Sequence, residues 1–401
     1  MTTGTSNSPT ASASPRTPVN AGAKDYVFTF SYESLVDARK RGMMRPPDRL
    51  VAALMESPDV RRLLVADPYR SWVTNWGRSV IDYRHRPRES EKVRHVSPLR
   101  FARADPIEVS SIENVYREYE DAVRRAADDA ELSRPAFVTA NPLVAGFTEL
   151  DWAAGAVYYA RDDWLSSPAR RRYWPAYREA YRRISESGRA VAAVSQEIID
   201  RIDPRGPHRV VPNGIEPDEW TGPVPVAPPW FERIPGPRAV YVGTLDSRLD
   251  LPGIAHLAAA RPDLQIVLIG PAPDAQYIAP VKGLPNVHVR GKIGRREVVS
   301  VLRNSELTLL AHRRTPLTEA MSPLKVYEYL AAGKPVLATD LEPVRGFGDR
   351  VHLTDSVSDF IDRIDVALAQ GTLAEQERLA FVTQNAWSSR HKEILTLLDG
   401  D

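Results

Sequence analysis

Lys325 and Glu328 stand three residues apart at the start of a helix marked at both ends, in the run SPLKVYEYLAAGKPVLATD at 322–340. Ser322 suits an N-cap and Pro323 the first helical position, where a missing N–H costs nothing. Gly333 suits the left-handed position past the helix, Pro335 is a stop signal, and Val336 to Ala338 read as a short buried strand. Free N–H groups and the positive end of the macrodipole make a helix start a holder of phosphate. The donors here would be the amides of Leu324, Lys325 and Val326. Lys325 adds formal charge beside them. Glu328, one turn on and on the same face, can accept hydrogen bonds from a ribose diol while the helix end holds a diphosphate. A capped surface helix with a Lys–Glu pair fits the same residues, and the local pattern leaves both readings open.

Two other clusters could do chemistry. The run AVYYARDDWLSSP at 156–168 ends an apolar strand in two consecutive carboxylates, Asp162 and Asp163. Adjacent side chains leave the backbone in different directions, so one is expected to face a cleft and the other to cap the next segment. That both are turn residues is the plainer alternative. The stretch SYESLVDARKRGMMRPPDR at 31–49 reads as a long loop after the first strand, with Arg39, Lys40, Arg41, Arg45 and Arg49 around Met43 and Met44. Long loops at strand ends are more often functional than short ones. Arg41 and Arg45 beside exposed methionines would suit a phosphorylated or lipid-linked ligand, and a solvated loop is the alternative. The Asn213-Gly214 pair reads as a turn with a structural role. The eight histidines show no metal-ligand spacing, so no protein-bound metal is expected.

The elements that must position these residues alternate along the chain. Short apolar runs near 26–30, 62–65, 92–96, 136–139, 156–159, 190–194 and 209–211 predict strands, with helices at about 48–57, 111–129 and 168–186. The pattern stops at 220–237, where dense proline excludes a central strand or a helix interior. It restarts with strands near 239–242, 265–269, 287–290, 307–310, 335–339 and 350–353 and helices at about 251–260, 295–304 and 323–332. Such alternation predicts an α/β chain with two doubly wound parallel sheets, and ligands bind outside the carboxyl ends of such strands. The expected divisions are a disordered Ser/Thr/Pro/Ala-rich tail at 1–23, a first domain at 24–217, a linker at 218–236, a second domain at 237–378 and a closing helix at 379–401 that packs back toward the first domain.

Composition excludes several classes. A net charge of +1 over 401 residues gives no overall field for nucleic acid. No cysteine means no disulfide framework and no thiolate, which fits a reducing cytosol. No apolar run approaches the ~18 residues of a membrane span, so any membrane contact is expected to be peripheral, at the inner face.

The run at 322–340 resembles the donor-binding signature of family 4 glycosyltransferases of the GT-B fold, in the form S/N-P-x-K-x-Y-E-Y-L-A-A-G-K-P-V of its teichuronic-acid-type branch. Other pieces resemble the family in its order: AVSQEIID at 193–200, VVPNGIEPDEW at 210–220, YVGTLD at 241–246, IVLIGP at 266–271, the run from Asn286 to Leu307, and NAWSSRHKEIL at 385–395. The resemblance covers roughly 130–395 and implies two Rossmann-like domains facing across a cleft. It implies transfer of a sugar from a nucleoside diphosphate, with Gly243, Ser322, Leu324, Lys325 and Glu328 on the donor and Asp162 beside the reacting sugar. It implies no cofactor beyond the donor, and a glycan, lipid-linked or small-molecule acceptor facing Arg41 and Arg45. The chain departs from the family in two places. The first of two glutamates seven residues apart falls at Ala320, with Glu319 out of register. An Arg–Lys pair after the glycine turn is reduced to Arg248, and Arg313 and Arg314 could supply the missing charge. A sugar-nucleotide epimerase or hydrolase, or a binding protein without catalysis, would share the same fold.

Overall fold

The computed structural model describes residue 20 and residues 22–72 and 90–399. The tail expected at 1–23 lies almost wholly outside the described residues. Within them the chain forms two parallel sheets. The first contains β1 (Lys24–Thr29), β2 (Val60–Ala66), β4 (Val93–Val96), β6 (Ala136–Thr139), β7 (Gly155–Ala160), β8 (Ala190–Ala193) and β9 (His208–Val210), in the order β4-β2-β1-β6-β7-β8-β9. The short strands β3 (Arg70–Ser71) and β5 (Leu99–Arg100) pair beside it. The second contains β10 (Arg238–Val242), β11 (Gln265–Ile269), β12 (Val287–Arg290), β13 (Leu307–Leu310), β14 (Val336–Thr339) and β15 (Val351–Thr354), in the order β12-β11-β10-β13-β14-β15. Both orders reverse beside their first strand, between β1 and β6 and between β10 and β13, which opens a crevice at the carboxyl end of each sheet.

The strands are short and apolar because both faces of each sheet are covered. Val27, Phe28, Val240, Tyr241, Leu309 and Leu337 are fully buried. One apolar cluster fills the first half, and two flank the second sheet. Ala320, from the second half, and Ile394, from the closing helix Trp387–Thr396, belong to the first half's cluster. The closing helix therefore packs on the first half.

The proline-rich stretch is not a free tether. Trp220 and Phe231 are fully buried in the second half, around a single helical turn at Pro229–Glu232. Carbonyls of Gly222, Pro225 and Val226 accept hydrogen bonds from Arg303, Asn304 and Ser300, on and just past the helix Arg295–Arg303. Proline leaves carbonyls free, and this helix supplies the donors that the stretch itself lacks.

Two segments differ from their expected form. The stretch 31–49 is largely helical, with Leu35–Lys40 and then Pro46–Glu56. Ser34 and Asp37 form a reciprocal cap that starts the first of these, a signal that the arginine run obscures. The helix expected at 168–186 begins as a 3-10 turn, Pro168–Tyr173, and becomes α-helical over Trp174–Glu186, where Pro175 suits the first turn.

Candidate active site in the cleft

The helix Leu324–Ala331 starts one residue later than Ser322 predicts, because Pro323 occupies the cap position with no side-chain bond. The Ser322 hydroxyl is already committed: it accepts from the Asn213 amide at 3.2 Å, while Asn213 Nδ2 donates to the Ser322 carbonyl at 2.7 Å. Val326 N donates to the Pro323 carbonyl at 3.0 Å, so it is not a free phosphate donor as expected. The amides of Leu324 and Lys325 are left at the helix start. At the other end, Gly333 takes φ +77° and Lys334 N reaches the Tyr329 carbonyl at 3.1 Å, the closure its position predicts. Arg378, 1% exposed, donates to the Ala331 carbonyl at 2.7 Å and to the Trp220 carbonyl at 2.6 Å, fixing the helix against the linker.

This helix start faces the end of β10 across a cleft of about 360 Å³, lined from the second half by Gly243, Thr244, Arg248, Lys325 and Glu328 and from the first by Pro46, Arg161 and Asp162. A Cβ on Gly243 would lie 2.3 Å from Lys325 Cε, so only glycine lets the lysine cross the strand end. Lys325 Nζ donates to Tyr241 Oη at 2.8 Å, lies 4.5 Å from the centre of that ring, and approaches His312 Nε2 at 3.2 Å. Burial, then the nearby Arg248, lowers the Lys325 ammonium to about 7. Burial first, with Lys325 and Arg248 adding to it, holds His312 well below its ordinary value, so it is neutral at pH 7. Its Nδ1 is buried without a hydrogen-bond partner among the described residues.

Glu328 is buried, and burial pushes its carboxyl up while Arg295 opposes the shift. Arg295 donates to Glu328 at 2.5 Å and, through Nε, to Glu219 at 2.8 Å; Arg49 of the first half meets the other oxygen of Glu219 at 2.8 Å. Glu328 is thus aimed by a chain of charges that crosses the linker. Arg248 forms a two-bond pair with Asp246, at 2.9 and 2.7 Å. Asp246 chiefly, and Asp162 from across the cleft, hold the Arg248 guanidinium charged.

The two aspartates separate clearly. Asp162 lines the cleft and pairs with Arg161 at 2.5 Å. Asp163 is 3% exposed and faces inward, accepting from Leu165 N at 3.2 Å and from the Ser166 hydroxyl, and pairing with Arg201 at 2.8 Å. Asp162 is therefore the member of the pair that faces the cleft, and Asp163 is the one that caps the next segment, an anchor of the turn after β7 with no place in the cleft lining. Asp163→Asn is expected to cost about 1–3 kcal/mol, the value of a charged hydrogen-bond partner. A urea midpoint equal to wild type would contradict that assignment.

Other expected residues lie elsewhere. Arg41 makes two 2.7 Å bonds to the fully buried Asp48, and Arg45 pairs with Glu33. Carboxylates of their own stretch neutralise both, which removes the reason for an acceptor-side role; the stretch reaches the cleft through Pro46. Arg313 points toward Asp250 at 3.9 Å and is absent from the cleft lining, and Arg314 pairs with Glu319 at 3.5 Å. Sequence reasoning missed Tyr241, His312 and Arg295, and it gave Asn213 only a turn. The Asn213 Oδ1 is buried at the cleft without a partner among the described residues.

Residues 236–370, the half that holds Gly243, Lys325 and Glu328, match the family model described as glycosyl transferases group 1. A 166-residue segment is 28% identical to TuaH of Bacillus subtilis, named for teichuronic acid biosynthesis as a glycosyltransferase. That match spans 39% of this chain and 41% of the relative. Among solved structures, the chain is similar to trehalose 6-phosphate synthase of Burkholderia multivorans, with a TM-score of 0.66 at 13% identity over 94% of this chain and 98% of that one. It is similar to HepE of Anabaena in complex with UDP-glucose, with a TM-score of 0.59 at 14% identity over 94% and 100%. The fold is GT-B. Among the described residues, no helix is long and apolar enough to cross a membrane, and no group of three His, Asp or Glu is placed to hold a metal ion.

Proposed function

We propose that the chain is a glycosyltransferase moving a sugar from a nucleoside-diphosphate donor to a glycan, lipid-linked or small-molecule acceptor. The observation that carries this reading is the opposition of a helix start bearing Lys325 and Glu328 to Asp162 across one cleft. The second half, 237–378, holds the donor, and the first, 24–217, presents the acceptor, joined through 218–236. The run at 322–340 serves as the donor signature of the teichuronic-acid-type branch. The ribose diol donates to Glu328. The diphosphate rests on the Leu324 and Lys325 amides, with Lys325 and Arg248 offsetting the charge that develops as it leaves; no metal is needed for that step. Of the two carboxylates in the cleft lining, Glu328 is buried on the donor side and Asp162 is half-exposed on the opposite side, so Asp162 is the one that attends the reacting sugar and acceptor hydroxyl. The reaction belongs to the cytoplasm, with membrane contact no more than peripheral. Incubating the protein with a panel of radiolabelled nucleotide sugars, with and without acceptor extract, tests the reading. Release of label from every donor at the uncatalysed rate under both conditions would refute it.

The lowered Lys325 ammonium gives a pH signature. The diphosphate favours the charged lysine, so donor binding takes up part of a proton near pH 7, and affinity falls as pH rises through about 7. Well above that point the loss approaches about tenfold per pH unit, its limit for one linked proton. Calorimetry with an intact nucleotide sugar, whose diphosphate is a diester, reads this directly. Lys325→Met should bind more weakly and without the slope; a flat wild-type profile from pH 6 to 9 would place Lys325 off the diphosphate.

A further inference from the structure

The segment after Asp162 carries four guanidinium groups that no carboxylate neutralises among the described residues. They lie on the 3-10 turn Pro168–Tyr173 and the helix Trp174–Glu186. Arg170 sits over the rings of Tyr32 and Trp164, 5.3 and 5.4 Å from their centres. Arg172 lies 4.7 Å from the centre of Tyr173, and Arg171 and Arg178 each lie 5.9 Å from that of Trp174. Arg171, Arg172 and Arg178 are exposed. Glu179, the nearest carboxylate along the helix, is already taken by Arg182 and Arg183. By contrast, the arginines nearer the cleft, Arg41, Arg161, Arg248 and Arg295, are all ion-paired.

A guanidinium held on a ring face keeps its plane fixed and its N–H edges open, the arrangement that accepts a carboxylate or phosphate through two bonds. The patch is also continuous with the cleft. Arg170 stacks on Tyr32, Arg161 donates to Tyr32 Oη at 3.4 Å, and Arg161 pairs with Asp162 in the lining. Tyr32 is 38% exposed, leaving part of its ring open between the two.

We infer that this cationic, aromatic surface reads the acceptor, and that the acceptor is a saccharide bearing carboxylate or phosphate groups. The anion meets the arginines while the hydroxyl to be glycosylated enters at Asp162. The inference rests on the reading of the cleft as a glycosyl-transfer site, and it moves the acceptor contacts from Arg41 and Arg45 to Arg170, Arg171 and Arg172.

Binding measured by calorimetry tests it with three probes of similar length: a tetragalacturonate, a phosphorylated maltotetraose and plain maltotetraose. Wild type should bind both charged probes at least about tenfold more tightly than the neutral one, with the advantage shrinking in raised salt. The Arg170→Gln, Arg171→Gln, Arg172→Gln triple variant should lose that advantage, and the Arg171→Gln, Arg172→Gln double variant should lose part of it with the fold intact, since those two side chains are exposed and each lies against a single ring. UDP affinity, measured alongside, should equal wild type in both variants. Absence of UDP binding in wild type would count against the donor site, and the saccharide comparison would still decide the present inference. Equal binding of charged and neutral probes would overturn it, as would discrimination that survives the triple variant. Arginine-dependent binding to phosphatidylglycerol vesicles with no binding of the charged saccharides would overturn it too, assigning the patch to a lipid surface.

Discussion

Asp162→Asn should lower kcat by about 10²–10⁴, the usual worth of a positioned proton acceptor, while donor affinity stays near wild type. The substitution keeps the shape of the side chain and removes its charge. Asp162 sits half-exposed at the end of β7 with Arg161 as its ion-pair partner, so the fold should tolerate the change. The neighbouring position provides the control. Asp163→Asn disturbs a buried anchor and should reduce stability while the folded enzyme keeps most of its turnover. Rate constants on protein shown to be folded by circular dichroism separate the two. A wild-type kcat for Asp162→Asn would give that residue a structural role only.

The second large effect belongs to the donor. Glu328→Ala and Lys325→Ala should each weaken nucleoside-diphosphate binding roughly tenfold to hundredfold, equivalent to about 1.5–3 kcal/mol for a charged hydrogen-bond partner. The two losses should differ in their remote effects. Removing Glu328 frees Arg295 from one of its two carboxylates, but Glu219 still holds it. Removing Lys325 leaves the Tyr241 hydroxyl and His312 without their shared cation. Because Glu219 also binds Arg49, Glu219→Gln should weaken donor binding without touching the nucleotide, by loosening Arg295 and hence Glu328. Calorimetry on the three variants checks the series. Full donor affinity in both Glu328→Ala and Lys325→Ala would remove the donor from this helix.

The two sheets were legible in the sequence because a parallel sheet buried on both faces leaves an unbroken apolar run for each strand. The runs at 265–269, 287–290 and 307–310 coincide with β11, β12 and β13. The helix at Lys325 was legible because glycine and proline mark chain geometry independently of context, and Gly333 does adopt the left-handed conformation its position suggests. Its first residue was not, since the Ser322 hydroxyl is claimed by Asn213, a partner 109 positions away that no local pattern reveals. Ion pairing was illegible for the same reason. In a chain this rich in arginine, nothing in the run at 31–49 says that Arg41 meets a buried Asp48 or that Arg49 crosses to Glu219. The run at 168–186 likewise hid its arginines inside a helix reading, and the 3-10 turn that lays Arg170 over Tyr32 depends on rings contributed from two other segments.

On this reading the second half holds a nucleoside diphosphate at the start of the helix Leu324–Ala331 and the first half presents Asp162 to the sugar. A crystal structure of the protein with UDP tests it most directly. The diphosphate should lie on the Leu324 and Lys325 amides within reach of Lys325 Nζ, with the ribose diol on Glu328. UDP seated instead in the crevice between β1 and β6, with the Lys325 helix unoccupied, would contradict it.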